Sequence, residues 1–297
     1  MYYDQYGTRK GQARLKINLH THTTNSDGRK SPEEVARIYK ERGYDAVAFT
    51  DHWVHGKEQV IEGLLVLAGC EFNLNYAFGE WHVSHIVGVG FNEMPDNFDY
   101  SDRDNVSPQD IIDGIKAKDG FVIWAHPAWS LNSAEYLARL EGYDATEIYN
   151  TVSGVHNSSR PYSGLIVDML ATEGVYCGLV ADDDTHYYDG EECRSYIMLA
   201  CDICDRDHIM QALRAGDYYA TQGPELHMRV EDGRAIVDCS PCCRIAFFSN
   251  AVYTNDRVFR GEGLTHAEYE IKKGERFIRV EVTDEDGNEA WSNIIKV

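Results

Sequence analysis

The chain has 297 residues, 49 of them acidic and 28 basic, for a formal net charge of −21. That length can bury one large domain, or one large and one small, and a composition 43% hydrophobic and 26% charged excludes a disordered chain. The acidic balance excludes a basic groove that tracks a nucleic-acid backbone, so long DNA or RNA is not an expected partner.

The first residues, MYYDQYGTRKGQARLK, lack the apolar core of a signal peptide, and no run approaches the roughly eighteen apolar residues of a membrane span. A cytoplasmic protein with no membrane partner is expected. The apolar segment RLKINL then leads into LHTHTTNSDG at 19–28, where His20 and His22 stand one residue apart and Asp27 follows five positions on. Residues 31–51 read as a helix and a strand. Ser31 is an N-cap, Pro32 suits the first helical position, and Glu34 completes a capping box. Val35, Ile38 and Tyr39 recur at helical spacing, Gly43 ends the helix, and AVAFT is a short buried strand.

The pattern repeats. SPQDIIDGIKAKDG, capped at Ser107, leads into the strand FVIWA, NSAEYLARLEGYD into ATEIY, and RPYSGLIVDMLATEG into VYCGLV; a last helix, DRDHIMQALRAG, begins near Asp205. Alternating helices and short apolar strands predict a parallel α/β architecture, and with no GxGxxG after any strand a barrel, complete or distorted, is the expected form. After about residue 222 the texture changes. LHMRVEDGRAIVDCS is two strands around an Asp-Gly turn, and RFIRVEVTDEDGNEAWSNIIKV is another pair. The expected organisation is a barrel over 1–222 and a small all-β, sandwich-like domain over 223–297, the latter packing against the barrel or making a homodimer.

Eight cysteines without an export signal read as reduced thiols. Cys201 and Cys204 form a CxxC, and Cys239, Cys242 and Cys243 a CxxCC, which together could make a zinc ribbon-like site. The intervening loops show no other ribbon pattern, so buried thiols are expected instead.

Metal-type side chains recur at strand ends. RLKINL ends at His20, AVAFT at Asp51 and His52, LLVLAGC at Glu71 and FVIWA at His126. ATEIY contains Glu147 with Asn150 just beyond, and VYCGLV is followed by Asp184 and His186. In an α/β barrel the C-terminal strand ends converge on one face, where active sites are built. His55, His208, His227 and His266 share no such placement and read as surface or core residues.

These motifs resemble, in order, those of the polymerase-and-histidinol-phosphatase (PHP) metallohydrolases: HTHTTNSDG, TDH at 50–52, GCEF with Glu71, HIVGVG from His85, AHP at 125–127 and DTH at 184–186. The likeness spans roughly residues 15–190. The tail, with GDYYATQGPEL and EAWSNIIKV, resembles the branch that includes carbaryl hydrolase-like proteins. The resemblance implies a distorted seven-stranded β/α barrel holding two or three divalent ions. His20, His22, Glu71 and Asp184 would hold the first metal, Glu71 would bridge to one held by His85 and His126, and Asp27, His52 and His186 would hold the third. His85 is preferred to His82 because it opens the HIVGVG match, and spacing to His186 favours Asp184 over Asp182 and Asp183.

Imidazole and carboxylate ligands suit Zn²⁺, Mn²⁺ or Fe²⁺. Clustered ions bring a shared water to a pKa near 7 and clamp the oxygens of an in-line displacement. The expected activity is therefore hydrolysis of a small phosphate ester, a nucleotide being one such substrate, by a metal-bridging hydroxide. Carbamate, ester or amide hydrolysis by the same hydroxide is the alternative, and a non-catalytic metal-stabilised module the alternative of another class. Arg160 in HNSSRPYSG, then Arg194, are the candidate phosphoryl clamps. His156 could protonate a leaving group, Asp51 reads as a partner fixing a ligand imidazole, and Trp53 or Trp129 could stack a base.

Overall fold

The computed structural model describes residues 3–4, 14–75, 83–155 and 158–297. In chain order the elements are β1 (Tyr3–Asp4), β2 (Arg14–Asn18), α1 (Pro32–Glu41), β3 (Ala46–Ala48), β4 (Gln59–Ile61), β5 (Leu64–Leu67), β6 (Gly69–Leu74) and β7 (Ser84–Val89). There follow α2 (Pro108–Ala117), β8 (Phe121–Trp124), α3 (Ala134–Leu137), β9 (Ala145–Asn150), α4 (Gly164–Thr172), β10 (Gly178–Asp182), β11 (Tyr196–Ala200), α5 (Arg206–Ala215) and β12 (Tyr218–Thr221). The last part is strand alone: β13 (Leu226–Glu231), β14 (Arg234–Phe248), β15 (Val258–Glu270), β16 (Phe277–Thr283), β17 (Glu289–Trp291) and β18 (Ile295–Lys296).

Of the five α-helices among the described residues, all but α4 start where a short polar side chain closes the first turn. In α1 the Ser31 hydroxyl accepts from Glu34 N while the Glu34 carboxylate accepts from Ser31 N at 2.9 Å, and Ser107 and Asp110 repeat this box at α2. Asp205 caps α5, and Gly216 ends it in the left-handed conformation at φ 76°. The expected helix in NSAEYLARLEGYD shrinks to the four residues of α3. Only Ala134 and Leu137 are buried there, and beyond them Arg139 and Leu140 bond back three residues rather than four, tightening the chain into a turn.

The scaffold is a mixed α/β fold with two sheets. The smaller runs β10-β9-β8-β7-β6. The larger has 13 strands, ordered β1-β13-β14-β16-β17-β12-β11-β2-β3-β5-β4, with β15 on β14 and β18 on β16. Strand direction departs from the all-parallel expectation: β2, β3 and β5 are parallel, as are β8, β9 and β10, but β7 is antiparallel to both β6 and β8. LLVLAGC, expected as one strand, divides into β5 on one sheet and β6 on the other. Gly69 is the crossing point, where a Cβ would meet Phe49 O at 2.8 Å. Two isolated bridges, Thr21 with Thr185 and His52 with Glu71, tie the sheets together at both margins. Between them lies a core that includes Ile17, Leu19, Ala48, Val87, Ile123 and Val180.

The C-terminal strands form as expected. β13 and β14 pair around Asp232-Gly233, both at positive φ as a tight hairpin turn needs, and β16 pairs with β17. They bury a cluster of their own, including Leu226, Val237, Ile245, Val280 and Ile295. Pairing nevertheless continues across residue 222, because β12 takes β17 as a neighbour. A buried ion cluster adds to this join. Arg279 on β16, fully buried, donates to both Asp168 oxygens on α4 at 2.6 and 2.8 Å and to Glu281 at 2.6 Å, while the Tyr162 hydroxyl donates to Glu281. Arg279→Ala would take both guanidinium donors from Asp168 and leave Glu281 with Tyr162 and Arg244, and a loss of about 3 kcal/mol of unfolding free energy is expected in a urea titration.

The cysteines of the two motifs do not meet in a metal-type group among the described residues. Cys239 and Cys242 lie 3.7 Å apart on β14, whereas Cys201 bonds toward Ile203 O and Cys204 toward Asp45 O. No helix among the described residues is long and apolar enough to cross a membrane.

Candidate functional site

Residues from six separate stretches converge at one end of the sheets. His20 and His22 follow β2, His52 follows β3, Glu71 lies within β6, His85 is the second residue of β7, His126 follows β8, and Asp184 and His186 follow β10. Glu71 and His85 are not at C-terminal strand ends. β6 and β7 form an antiparallel pair, so β7 delivers His85 from its first turnward residues, and Asn73 rather than Glu71 is its direct partner.

Four atoms form a compact group. His20 Nε2 and His22 Nε2 are 3.2 Å apart. His20 Nε2 lies 3.1 Å from Glu71 Oε2 and 3.2 Å from Asp184 Oδ1, and His22 Nε2 lies 3.0 Å from each. Neither carboxylate oxygen has a hydrogen-bond partner, and both are buried. Two orphaned carboxylate oxygens facing two imidazole nitrogens is a costly arrangement unless a cation sits among them. Each imidazole nitrogen thus has the other nitrogen and both carboxylate oxygens within 3.0–3.2 Å, a spacing compatible with one ion ligated by all four at the roughly 2.0–2.2 Å of Zn–N and Zn–O bonds. The donor set fits a divalent ion.

Two further groups adjoin it. Glu71 Oε1 lies 2.8 Å from His85 Nδ1 and 3.5 Å from His126 Nε2. Asp27 lies 3.7 Å from both His22 Nδ1 and His52 Nε2 and 3.5 Å from His186 Nε2. In each of the three groups all the ligating atoms fall within 4.8 Å of one another, so each could hold a metal ion. His22 belongs to two of them, with one ring nitrogen facing each. Asp27 remains exposed on its turn, and Gly28 lets that turn close over His22, since a Cβ there would meet His22 O at 2.5 Å.

Neighbouring groups hold the rings. Glu147 Oε1 lies 2.7 Å from His20 Nδ1, its Oε2 accepts from His126 N at 2.8 Å, and Asn150 donates to both Glu147 and Asp184. A carboxylate behind a histidine fixes the tautomer and turns the other nitrogen toward the metal side. His126 Nδ1 lies 3.1 Å from Ser130 Oγ, and His186 Nδ1 donates to Asp184 O at 2.7 Å. Two of the candidate ligands sit at positive φ, His126 at 29° and Asp184 at 53°, a strain that tends to collect at functional sites.

Burial opposes every charge here, and the pattern of pKa values follows from which neighbours outweigh it. Burial pulls His20 down, but Asp184, Glu71 and Glu147 drive it well above the ordinary imidazole value. His22, likewise buried, is raised to about 9 by hydrogen bonds and charge from Asp184 and Glu71, and His126 is raised against burial by Glu71 and Asp184. For His52, brought to about 4, and for His85 and His186, desolvation prevails and the neutral ring is favoured. Burial would raise Glu71 and Asp184, yet the facing imidazoles hold both carboxyls below their ordinary range.

Several sequence expectations shift. Asp51 does not touch an imidazole: it accepts from Thr23 N, Thr23 Oγ1 and Ser26 Oγ, all at 2.8 Å, and so pins the turn that carries Asp27. Asp182 accepts from Leu19 N, and Asp183 from Tyr39 and three backbone N–H groups, which leaves Asp184 as the aspartate at the cluster. The cluster opens into a cavity of about 440 Å³. Arg160 and Arg194 are exposed and neither lines it, because the backbone of Arg194 is drawn to Asp183 instead. His82 and His156 lie outside the described residues. Trp129 lines the cavity, whereas Trp53 is packed against Phe72, Phe98 and Tyr100. Glu147 and Asn150, placed by sequence near a strand end, stand behind the ligands, and Asn73, Asn75, Ser153 and Tyr187 join the cavity wall with no motif to mark them beyond the two-residue spacing of the asparagines from Glu71.

A mixed α/β scaffold that gathers six imidazoles and three carboxylates at one cavity defines a candidate metal-binding protein. The chain belongs to the PHP domain family, whose model matches residues 18–222. Among solved structures it is similar to a two-domain protein from Bacteroides vulgatus ATCC 8482 described as containing a predicted PHP-like metal-dependent phosphoesterase, at 15% identity and a TM-score of 0.53, covering 97% of this chain and 96% of that one. It is also similar to a provisionally assigned metal-dependent phosphoesterase from Bifidobacterium adolescentis ATCC 15703 (15% identity, TM-score 0.40, 59% of this chain and 89% of that one). An amidohydrolase from Chromobacterium violaceum, with sulfate bound and no metal, gives 18% identity, a TM-score of 0.37 and coverage of 59% and 89%. No curated protein matches the chain significantly.

Proposed function

We propose that the protein is a metal-dependent phosphoesterase acting on a small phosphate ester. The observation that carries this reading is the buried four-atom group of His20, His22, Glu71 and Asp184 with its two orphaned carboxylate oxygens. Membership of the PHP family and the description of the Bacteroides vulgatus protein agree with it.

In this reading His20, His22, Glu71 and Asp184 would hold one ion, Glu71 with His85 and His126 would hold a second, and Asp27, His52 and His186 would hold a third. Divalent ions so bound supply Lewis acidity, bring the pKa of a water down to about 7 and offset the charge of a phosphoryl group. The chain's own residues do the positioning. Glu147 keeps a proton on His20 Nδ1, which leaves Nε2 to ligate, and Ser130 orients His126. His52, His85 and His186, favoured as neutral rings, can ligate without first losing a proton. In hydrolysis water adds to phosphorus, the ester P–O bond breaks, and the departing oxygen takes a proton.

The architecture proposed with it is a distorted barrel of β2, β3 and β6 to β10, supported by the two bridges that join the sheets, and a separate C-terminal β domain, supported by the distinct core of those strands. The family likeness ends at residue 222, in line with that division. A homodimer through the C-terminal strands belongs to the same proposal.

Metal-loaded protein is expected to hydrolyse phosphomonoesters or phosphodiesters faster than carbamates in a parallel screen, and a chelator to abolish it. His126→Ala should cut phosphoester turnover at least about 100-fold while circular dichroism and melting of the fold persist. Carbamates turned over in preference would replace this reading with the carbamate, ester or amide alternative. No hydrolysis by loaded protein would leave the non-catalytic module.

A further inference from the structure

Among the described residues no lysine or arginine lines the cavity beside the metal-type cluster. A phosphate ester needs hydrogen-bond donors for its non-bridging oxygens, and in most such sites cationic side chains supply them. The wall contains a neutral substitute. Glu71, Asn73 and Asn75 are spaced two apart along β6 and just past its end, so they share one face of the strand, and all three line the cavity. Asn73 lies directly across the ladder from His85.

The orientation of Asn73 is set by chemistry. Trp53 Nε1 lies 2.7 Å from Asn73 Oδ1. An indole N–H can only donate, so the carbonyl oxygen must face the tryptophan and the amide NH₂ must face elsewhere. That nitrogen has no hydrogen-bond partner among the described residues. Trp53 cannot easily turn away: it is 9% exposed, stands edge-on to Phe72 at 5.1 Å, and has the Arg103 guanidinium 4.4 Å over its ring. Asn75 Oδ1 lies 3.2 Å from His85 Nε2, a ring nitrogen that donates or accepts according to its tautomer. A carboxamide with its carbonyl occupied by a donor-only partner, as in Asn73, presents only N–H groups, which match a ligand group made of acceptors alone.

We propose that Asn73, oriented by Trp53, is the hydrogen-bond donor that reads the non-bridging oxygens of the substrate's phosphoryl group, taking the part that Arg160 and Arg194 do not fill. The inference rests on the phosphoesterase reading for its substrate, and on the cavity geometry for its residue. Trp53 acts as a positioning residue, through Asn73.

The test compares metal-loaded wild type with Asn73→Ala, Asn73→Asp, Trp53→Phe and the Trp53→Phe/Asn73→Ala pair. The readouts are kcat/KM for p-nitrophenyl phosphate, calorimetric binding of inorganic phosphate and metal content. Asn73→Ala is expected to lose about 10- to 100-fold in kcat/KM, the usual worth of one hydrogen bond to a charged group. Phosphate binding should weaken to a similar degree, with metal content at the wild-type level. Asn73→Asp, which places an acceptor and a charge where a donor stood, should lose more. Trp53→Phe should lose less than Asn73→Ala, and the double variant no more than Asn73→Ala. Unchanged phosphate binding in Asn73→Ala would overturn the proposal, as would a loss explained by missing metal. If wild type hydrolyses no phosphate ester, the functional reading fails by itself, and the calorimetric comparison still decides whether Asn73 binds phosphate.

Discussion

Glu71→Gln is expected to lower phosphoester turnover on the order of 1,000-fold, because ion-borne stabilisation of several kcal/mol is lost at about 1.4 kcal/mol per factor of ten. Among the described residues Glu71 is the one shared between the four-atom group and the His85–His126 group, with Oε2 facing the first and Oε1 the second. Glutamine keeps the shape but turns one of those two acceptors into a donor and removes the charge. Elemental analysis should show loss of more than one equivalent of metal. Protein stripped by a chelator should also suffer. The Glu71 carboxylate helps compensate His20 and His22, which are buried and favour the protonated form, and a glutamine would leave that charge to Asp184 and Glu147 alone, so a lower melting temperature is expected. A variant with full metal content and wild-type kinetics would place the catalytic ions elsewhere.

The second large effect is on the pH dependence of metal binding. His22 has its pKa raised to about 9, and His20 and His126 are raised as well, so at neutral pH an entering ion must displace protons. Each displaced proton weakens apparent affinity about tenfold per pH unit below that pKa, so lowering the pH from 9 to 7 should cost about 100-fold for His22 alone. The stability of chelator-stripped protein runs the other way. A raised folded-state pKa contributes stability that is fully present below the unfolded value of 6.5 and is lost as pH rises through about 9. Melting temperatures of stripped protein should therefore fall between those pH values while those of metal-loaded protein hold. Isothermal titration with zinc or manganese across this range, with scanning calorimetry of both forms, checks the two signs; metal affinity independent of pH would mean that His22 is not a ligand.

Helix starts were legible in the sequence because caps act locally. Ser31 with Glu34, Ser107 and Asp205 need only three residues of context to close a first turn. The hairpin at Asp232-Gly233 was legible for the same reason. The helix expected after Asn132 was overestimated, since burial beyond Leu137, which only packing decides, is what would have continued it. The reversal of β7 was likewise invisible: an apolar strand of six residues looks the same in either direction. So was the division of LLVLAGC, which depends on how closely Phe49 passes Gly69.

At the site, the residue types and their order along the chain were set by the sequence itself: His20, His22, Asp27, His52, Glu71, His85, His126, Asp184 and His186 can be named without coordinates, because metal-binding chemistry restricts ligands to a few side chains. Distances below 4 Å from His20 and His22 to Asp184, 164 and 162 positions further on, belong to the tertiary structure alone. It also decided that Asp51 braces a turn, that Glu147 stands behind His20, and that Asn73 rather than an arginine faces the cavity. The physical reason is common to all three. A side chain's chemistry is intrinsic to its residue, but its partner is whichever group another strand brings within hydrogen-bond reach, and no local pattern encodes that meeting.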